Sequence, residues 1–196
     1  AKQWLASGQG RDVLASLYGE DGRDAARYAA LIDDYRRRFP EPGRLMMACA
    51  PGRAEILGNH TDHNQGKVLA AAINLDAAAV FSPRKDFQVH LFSQGYPPLS
   101  LDLETLGADP AEAGTTASLI RGVAAGLNLR GKPYGGFDAV VSSDVFSGSG
   151  LSSSASFEVL MCLIQDALYG GQSLDPVTRA QVGQYAENVH FMKPSG

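Results

Sequence analysis

The order of apolar and polar residues divides the chain into helical and extended stretches. Over residues 24–38, Ala25, Tyr28, Ala29, Ile32 and Tyr35 recur at the spacing of one helix face, and Arg36, Arg37 and Arg38 fill the last turn, where the helix dipole favours cations. Pro40 and Pro42 end that segment. A short apolar run at 45–50 suits a buried strand. Further extended runs follow at 68–73, 77–81 and 87–92, the last alternating Phe87, Val89 and Leu91. Gly95-Tyr96-Pro97-Pro98 reads as a turn. Residues 115–127 predict a helix with Leu119, Ile120 and Val123 on one face, and 137–141 a strand. Residues 152–169 predict a strong helix lined by Ala155, Val159, Cys162, Leu163 and Ala167 and stopped by Gly170 and Gly171. Asp175-Pro176 opens a last helix running to about His190, with the proline where a missing N–H costs nothing. Strands dominate the first part and helices the second, which predicts an α+β domain rather than regular βα alternation. No repeat, low-complexity stretch or linker interrupts it.

Composition narrows the classes. The chain has 196 residues, 44% of them hydrophobic and 19% charged, so it can bury a sizeable core as an ordinary globular protein. A net charge of −4 disfavours nucleic acid as the main partner. No apolar run approaches the roughly 20 residues of a membrane span, and the polar start Ala1-Lys2-Gln3-Trp4 has no signal-peptide core. Cys49 and Cys162 do not make a disulfide framework and read as buried thiols, which with the rest predicts a cytoplasmic location. The four histidines lack metal-type spacing. The arginine run at 36–38 reads as a solvated helix end, and Trp4, Tyr96, His90 and His190 read as packing, structural or surface residues.

Two motifs carry chemistry. The second in sequence is Gly148-Ser149-Gly150-Leu151-Ser152-Ser153-Ser154-Ala155, between a predicted strand and a predicted helix. Glycines there let the backbone approach a ligand. The first N–H groups of the helix have no intrahelical partner and sit at its positive end, so they suit phosphate. The serine hydroxyls can bond phosphate or ligate Mg²⁺. No lysine completes a Walker A pattern. A bare Gly-Ser-Gly would as readily be a flexible turn with serine N-caps; the full string is more specific. The first motif, Pro51-Gly52-Arg53-Ala54-Glu55-Ile56-Leu57-Gly58-Asn59-His60-Thr61-Asp62-His63-Asn64, follows the first strand as an expected loop. It packs one arginine among hydrogen-bonding side chains, as a polyhydroxylated substrate requires.

With both motifs in hand, the chain resembles the GHMP small-molecule kinases, and among them the galactokinase family most closely. The Gly52–Asn64 string, its continuation Gly66-Lys67-Val68-Leu69-Ala70, the Gly148–Ala155 loop and Ala186-Glu187-Asn188-Val189 followed by Lys193-Pro194-Ser195-Gly196 agree with that family in order and spacing. The resemblance covers about residue 44 to the end. It implies the GHMP kinase N-terminal domain over 44–196 (an α+β, ribosomal protein S5 domain 2-like fold with a left-handed βαβ unit), preceded by a helical extension at 1–43. It also implies an N-terminal fragment, with the C-terminal domain absent and truncated before the catalytic Asp, so that the isolated fragment is expected to be inactive.

The resemblance further implies roles. Arg53 lies near the reacting hydroxyl and the transferred phosphate. Asn59, His60, Asp62 and Gly196 bind sugar. Gly148, Ser149, Gly150, Leu151, Ser152, Ser153 and Ser154 hold nucleotide phosphate, and Ser154 and Glu187 ligate Mg²⁺. ATP is the co-substrate, and the reaction is phosphoryl transfer to a sugar's anomeric hydroxyl, galactose first. The partners are the sugar and ATP, with no nucleic acid and no membrane. Taken singly, His60 would be structural, Asp62 a turn or helix cap and Glu187 a surface carboxylate; their place in the motifs changes each reading. Four positions depart from the family pattern: Asn59 stands for a glutamate, His63 for a tyrosine, Glu55 for an asparagine and Phe146 for a proline. These leave the sugar open and keep two alternatives in view, a catalytically weak sugar and ATP sensor and a GHMP kinase for another sugar or small alcohol.

Overall fold

Side chains alternate faces along a strand, so near-continuous apolar runs such as 77–81 put apolar groups on both faces of a single sheet, and that sheet needs cover on both sides. The computed structural model of the chain describes residues 1–19, 23–40, 43–58, 66–146, 150–193 and 195. Three helices come first: α1 (Lys2–Ala6), α2 (Gly8–Tyr18) and α3 (Arg23–Arg38). Then come β1 (Met46–Leu57), β2 (Leu69–Pro83), β3 (Gln88–Ser93) and β4 (Leu99–Asp102). Next are α4 (Thr116–Asn128), β5 (Phe137–Ser143), α5 (Ser153–Gln165) and α6 (Pro176–Tyr185). The strands order as β1-β2-β5-β3-β4. Only the β3–β5 pair is parallel, and β4 and α4 lie on the connection between its two strands.

Side chains sort by parity. Ala77, Ala79 and Phe81 of β2, Val89 and Leu91 of β3 and Phe137, Ala139 and Val141 of β5 pack under α4, α5 and α6. The intervening Ala78, Val80 and Val140 pack under Leu5, Leu14, Tyr28, Leu31, Ile32 and Tyr35 of the first three helices. The molecule is thus helices, sheet, helices, and the mixed sheet agrees with the α+β expectation. Cys162 is buried as expected, whereas Cys49 is only partly so.

Two expectations are corrected. The runs at 68–73 and 77–81 are one strand, β2, bent by a break in register. The first motif is not a loop from its start, because residues 51–57 continue β1. Pro51 is compatible with this because β1 is an edge strand. The four-residue β4 and the two helices before residue 19 left no sequence pattern strong enough to read. Gly8 and Gly10 weaken helix propensity in α2, which starts on the Ser7 hydroxyl accepting from Gly10 N at 3.1 Å.

A polar anchor holds α3 to the sheet. The Arg27 guanidinium pairs with the buried Asp76 carboxylate, and also donates to the Asp76 and Ser142 carbonyls at 3.1 and 2.9 Å. Tyr18 donates a short hydrogen bond to the same carboxylate. Removing Asp76 leaves the largely buried Arg27 guanidinium with the exposed Asp144 carboxylate, at 3.1 Å, in place of a buried partner. Asp76→Ala should therefore cost about 3–5 kcal/mol, read as a lower urea midpoint with an unchanged denaturant slope.

Candidate functional site

The register break that bends β2 also opens the site. Pro51 pairs with Asp76 but Arg53 pairs with Ala72, so β1 advances two residues while β2 advances four. The ladder fails at this point, and Arg53 N donates instead to Leu151 O at 3.1 Å. The approach is close enough that a Cβ on Gly52 would sit 3.0 Å from Leu151 O and 3.1 Å from Val145 Cγ2. Glycine is required there for contact rather than for backbone freedom. One hydrogen bond thus joins the first motif to the second. Beyond the break Arg53 and Glu55 share a face of the strand, and Arg53 Nη1 lies 3.6 Å from Glu55 Oε2 with the arginine side chain 42% exposed.

The second motif turns sharply into α5. Gly150 has φ +75°, and Ser152 adopts the left-handed conformation, φ 59° and ψ 52°, which costs a non-glycine residue on the order of 1 kcal/mol or more. Its carbonyl accepts from Ser156 N at 3.0 Å, but its side chain makes no capping bond. Serine N-capping therefore does not account for the motif, and the first turn keeps donors aimed out of the helix. Ser156 Oγ donates to Ala50 O at 2.8 Å and fastens α5 to β1.

Ser154 and Glu187 meet. Ser154 Oγ donates to Glu187 Oε1 at 2.9 Å across 33 residues of sequence. Glu187 lies in a widened π turn, 186–190, that continues α6, with Phe191 N bonding Ala186 O. Such turns recur at functional sites because they re-aim side chains. The turn is seated by Gly122 of α4, where a Cβ would lie 2.8 Å from Ala186 Cα and 3.0 Å from His190 Cβ. His190 is buried, and burial holds its imidazole below the usual range. Asn188 brackets Ser195, its amide donating to Ser195 O at 3.1 Å and accepting from Ser195 N at 2.6 Å.

One residue absent from the motif reading stands behind this pair. Glu158, one turn after Ser154 on α5, is 2% exposed, and its Oε1 has no hydrogen-bond partner among the described residues. Gly183 leaves room for it, since a Cβ there would lie 3.2 Å from Glu158 Oε2. Burial first, and the Glu187 carboxylate second, push the Glu158 carboxyl up to about 8. The sequence signal was a glutamate on the apolar side of a strongly apolar helix.

Ser154 and Glu187 offer hard oxygens of the kind Mg²⁺ takes while keeping water and phosphate ligands, so the donor set fits that ion. Among the described residues no three His, Cys, Asp or Glu side chains gather around a metal-sized space. A cavity of about 270 Å³ opens beside Ser153 and Ser154, walled by Leu91, Leu119, Val145 and Phe157. A larger one of about 580 Å³ lies on the α3 side of the sheet, where Arg37 and Arg38 pair with Asp34 and Arg27 pairs with Asp76. Asn59, His60, Asp62, Gly148, Ser149 and Gly196 lie outside the described residues. Of the expected site residues, the structure thus places Arg53, Gly150, Leu151, Ser152, Ser153, Ser154 and Glu187. No helix among the described residues is long and apolar enough to cross a membrane.

Comparison with known proteins gives a consistent set of relatives. Residues 33–83 match the family described as "Galactokinase galactose-binding signature" and residues 118–196 that of "GHMP kinases N terminal domain". The galactokinase of Levilactobacillus brevis is 36% identical over 169 residues, 84% of this chain and 42% of the relative. The structure of Lactococcus lactis galactokinase complexed with galactose superposes with a TM-score of 0.80 at 27% identity, over 87% of this chain and 44% of that one. Methanococcus jannaschii mevalonate kinase shares the fold, with a TM-score of 0.63 at 21% identity over 79% of this chain and 50% of that one. The chain therefore spans less than half the length of the galactokinases it matches.

Glu158 yields a pH test. Between the ordinary carboxyl range and pH 8 the folded chain keeps a proton that the unfolded chain has released, so stability falls as pH rises through that window. Glu158→Gln keeps the volume and cannot ionise. Its urea midpoint should vary less between pH 5 and pH 9 than the parent's. The difference at pH 9 should favour the variant by roughly 4 kcal/mol at most, at about 1.4 kcal/mol per pH unit.

Proposed function

We propose, for a chain that belongs to the GHMP kinase family and carries the galactokinase signature, that it builds the sugar and phosphate sites of an enzyme transferring the γ-phosphoryl group of ATP to a sugar's anomeric hydroxyl, galactose first. The observation that carries this reading is the Ser154–Glu187 oxygen pair at the start of α5, tied through Leu151 to the backbone of Arg53.

Phosphoryl transfer is mostly positioning and charge neutralisation. In this reading the first-turn N–H groups of α5 and the Gly148–Ser154 backbone hold phosphate oxygens against the positive end of the helix. Mg²⁺, held by Ser154 and Glu187, would supply charge neutralisation between phosphates. Arg53 stabilises negative charge on the transferring group. Asn59, His60, Asp62 and the Gly196 N–H bond sugar hydroxyls. An amide at Asn59 both donates and accepts, and so fits a different hydroxyl pattern from the family's carboxylate. The 270 Å³ cavity takes the nucleotide base.

One observation favours a second reading, a sugar and ATP sensor with weak catalysis. Glu55, where the family pattern has asparagine, lies within ion-pair distance of Arg53 and draws on the charge that transfer requires. ADP release by the full-length protein, at the length of its relatives, with Mg²⁺·ATP against a sugar panel separates the two. Galactose-dependent release supports the galactokinase reading, release with another sugar alone moves the specificity, and ATP binding with no release for any sugar favours the sensor.

Two variants follow from the assigned roles. In the full-length protein Arg53→Ala should lower turnover about 10²–10³-fold while leaving ATP affinity within about threefold, because its charge acts on the transition state. Glu187→Gln should raise the Mg²⁺ concentration for half-maximal activity about tenfold; an unmoved Mg²⁺ titration removes Glu187 from the metal site.

A further inference from the structure

The turn between β3 and β4 carries an aromatic ring that the fold does not use. β3 stops at Ser93, and Gln94 N extends its ladder by donating to Val141 O at 2.9 Å. Gly95 then takes φ +84°, and Tyr96 N donates back to Ser93 O at 3.1 Å, closing a tight turn. Pro97 and Pro98 restrict the backbone on the way into β4. The sequence pattern assigned Tyr96 to packing, but it is 60% exposed. Among the described residues its hydroxyl makes no hydrogen bond and its ring meets no other ring.

Where this ring stands is informative. It borders the 270 Å³ cavity beside Ser153 and Ser154, and it is an exposed member of a lining that otherwise includes the buried Leu91, Leu119 and Val145. The apolar floor is therefore built into the core, with Phe157 beside it, and Tyr96 borders it from a stiff turn. A planar heterocycle entering the cavity would meet aliphatic side chains on one side and could meet the tyrosine face on the other. Aromatic rings accept bases in this way because every base has a π face, and a ring held by a proline-stiffened turn loses little freedom on binding. Tyr96 also borders the larger cavity on the α3 side, but there the arginines are already paired with carboxylates and leave little unmatched charge for a ligand.

We propose that Tyr96 is the stacking wall for the heterocyclic base of the nucleotide whose phosphates lie on α5, and that its ring sets a preference for purine over pyrimidine nucleotides. The inference rests on the phosphate-site reading above and adds to it a specificity-determining residue. The larger ring system of a purine covers more of the tyrosine face, so its loss weakens purine nucleotides most. The phosphate contacts lie elsewhere and are unaffected.

The test is calorimetric titration of the parent chain, Tyr96→Ala and Tyr96→Phe with ATP, CTP and inorganic tripolyphosphate. Tyr96→Ala should weaken ATP about tenfold and CTP less, with tripolyphosphate unchanged; Tyr96→Phe should keep ATP within about twofold of the parent. Unaltered ATP affinity in Tyr96→Ala overturns the proposal and leaves the phosphate site standing. An equal loss for ATP and tripolyphosphate also overturns it, since a general disturbance of the fold would do the same. Parent protein that binds neither ATP nor tripolyphosphate removes the phosphate-site reading itself, and the stacking role with it.

Discussion

The site depends on one backbone hydrogen bond, Arg53 N to Leu151 O. Within a regular ladder that donor would be spent on the neighbouring strand. The register break between Pro51 and Arg53 releases it, and the missing side chain of Gly52 lets the loop come within reach. The bond sets the arginine-bearing strand against the turn that leads into α5. Ser156 repeats the attachment one turn further along by bonding the Ala50 carbonyl. Two segments about a hundred residues apart thus become one rigid surface, with the open end of α5 facing the same region as the signature strand.

Sequence alone carried much of this, for identifiable reasons. The long helices were legible because α3, α4 and α5 each have an apolar face of several turns. Strands β3 and β5 were legible because their alternating or continuous apolar residues are buried. β2 was misread as two strands because Asn74 and Asp76 interrupt its apolar run just where the register breaks. Asp76 also reads as a surface carboxylate until Arg27 and Tyr18, each about fifty residues away or more, are placed around it. Such pairings leave no local trace.

The candidate site was legible as residue types but not as contacts. Family resemblance marked Ser154 and Glu187, yet their 2.9 Å approach depends on Gly122, a residue of α4 with no motif around it. Nor did periodicity distinguish the π turn at 186–190 from the end of an ordinary helix, although the turn decides where Glu187 points. Glu158 stood out only as a carboxylate on an apolar helix face, and its four-residue spacing from Ser154 is also what an unremarkable helix provides. Tyr96 was misassigned because an aromatic beside two prolines resembles a packed turn, and only the three-dimensional course of β3 and β4 leaves its ring exposed.

The Arg53–Leu151 bond also bears on how the chain reaches its native state. Its partners are separated by β2, the β3–β4 hairpin, α4 and β5, so the bond closes a loop of about a hundred residues that also contains the β3–β5 pairing. Contacts of such long sequence separation come at a high loop-closure cost and tend to form late. Ligand competence should therefore arrive with the last cooperative step of folding rather than with an early helical unit. A nucleotide that binds only the assembled surface would then act as a thermodynamic clamp on the whole sheet, slowing its opening in proportion to occupancy.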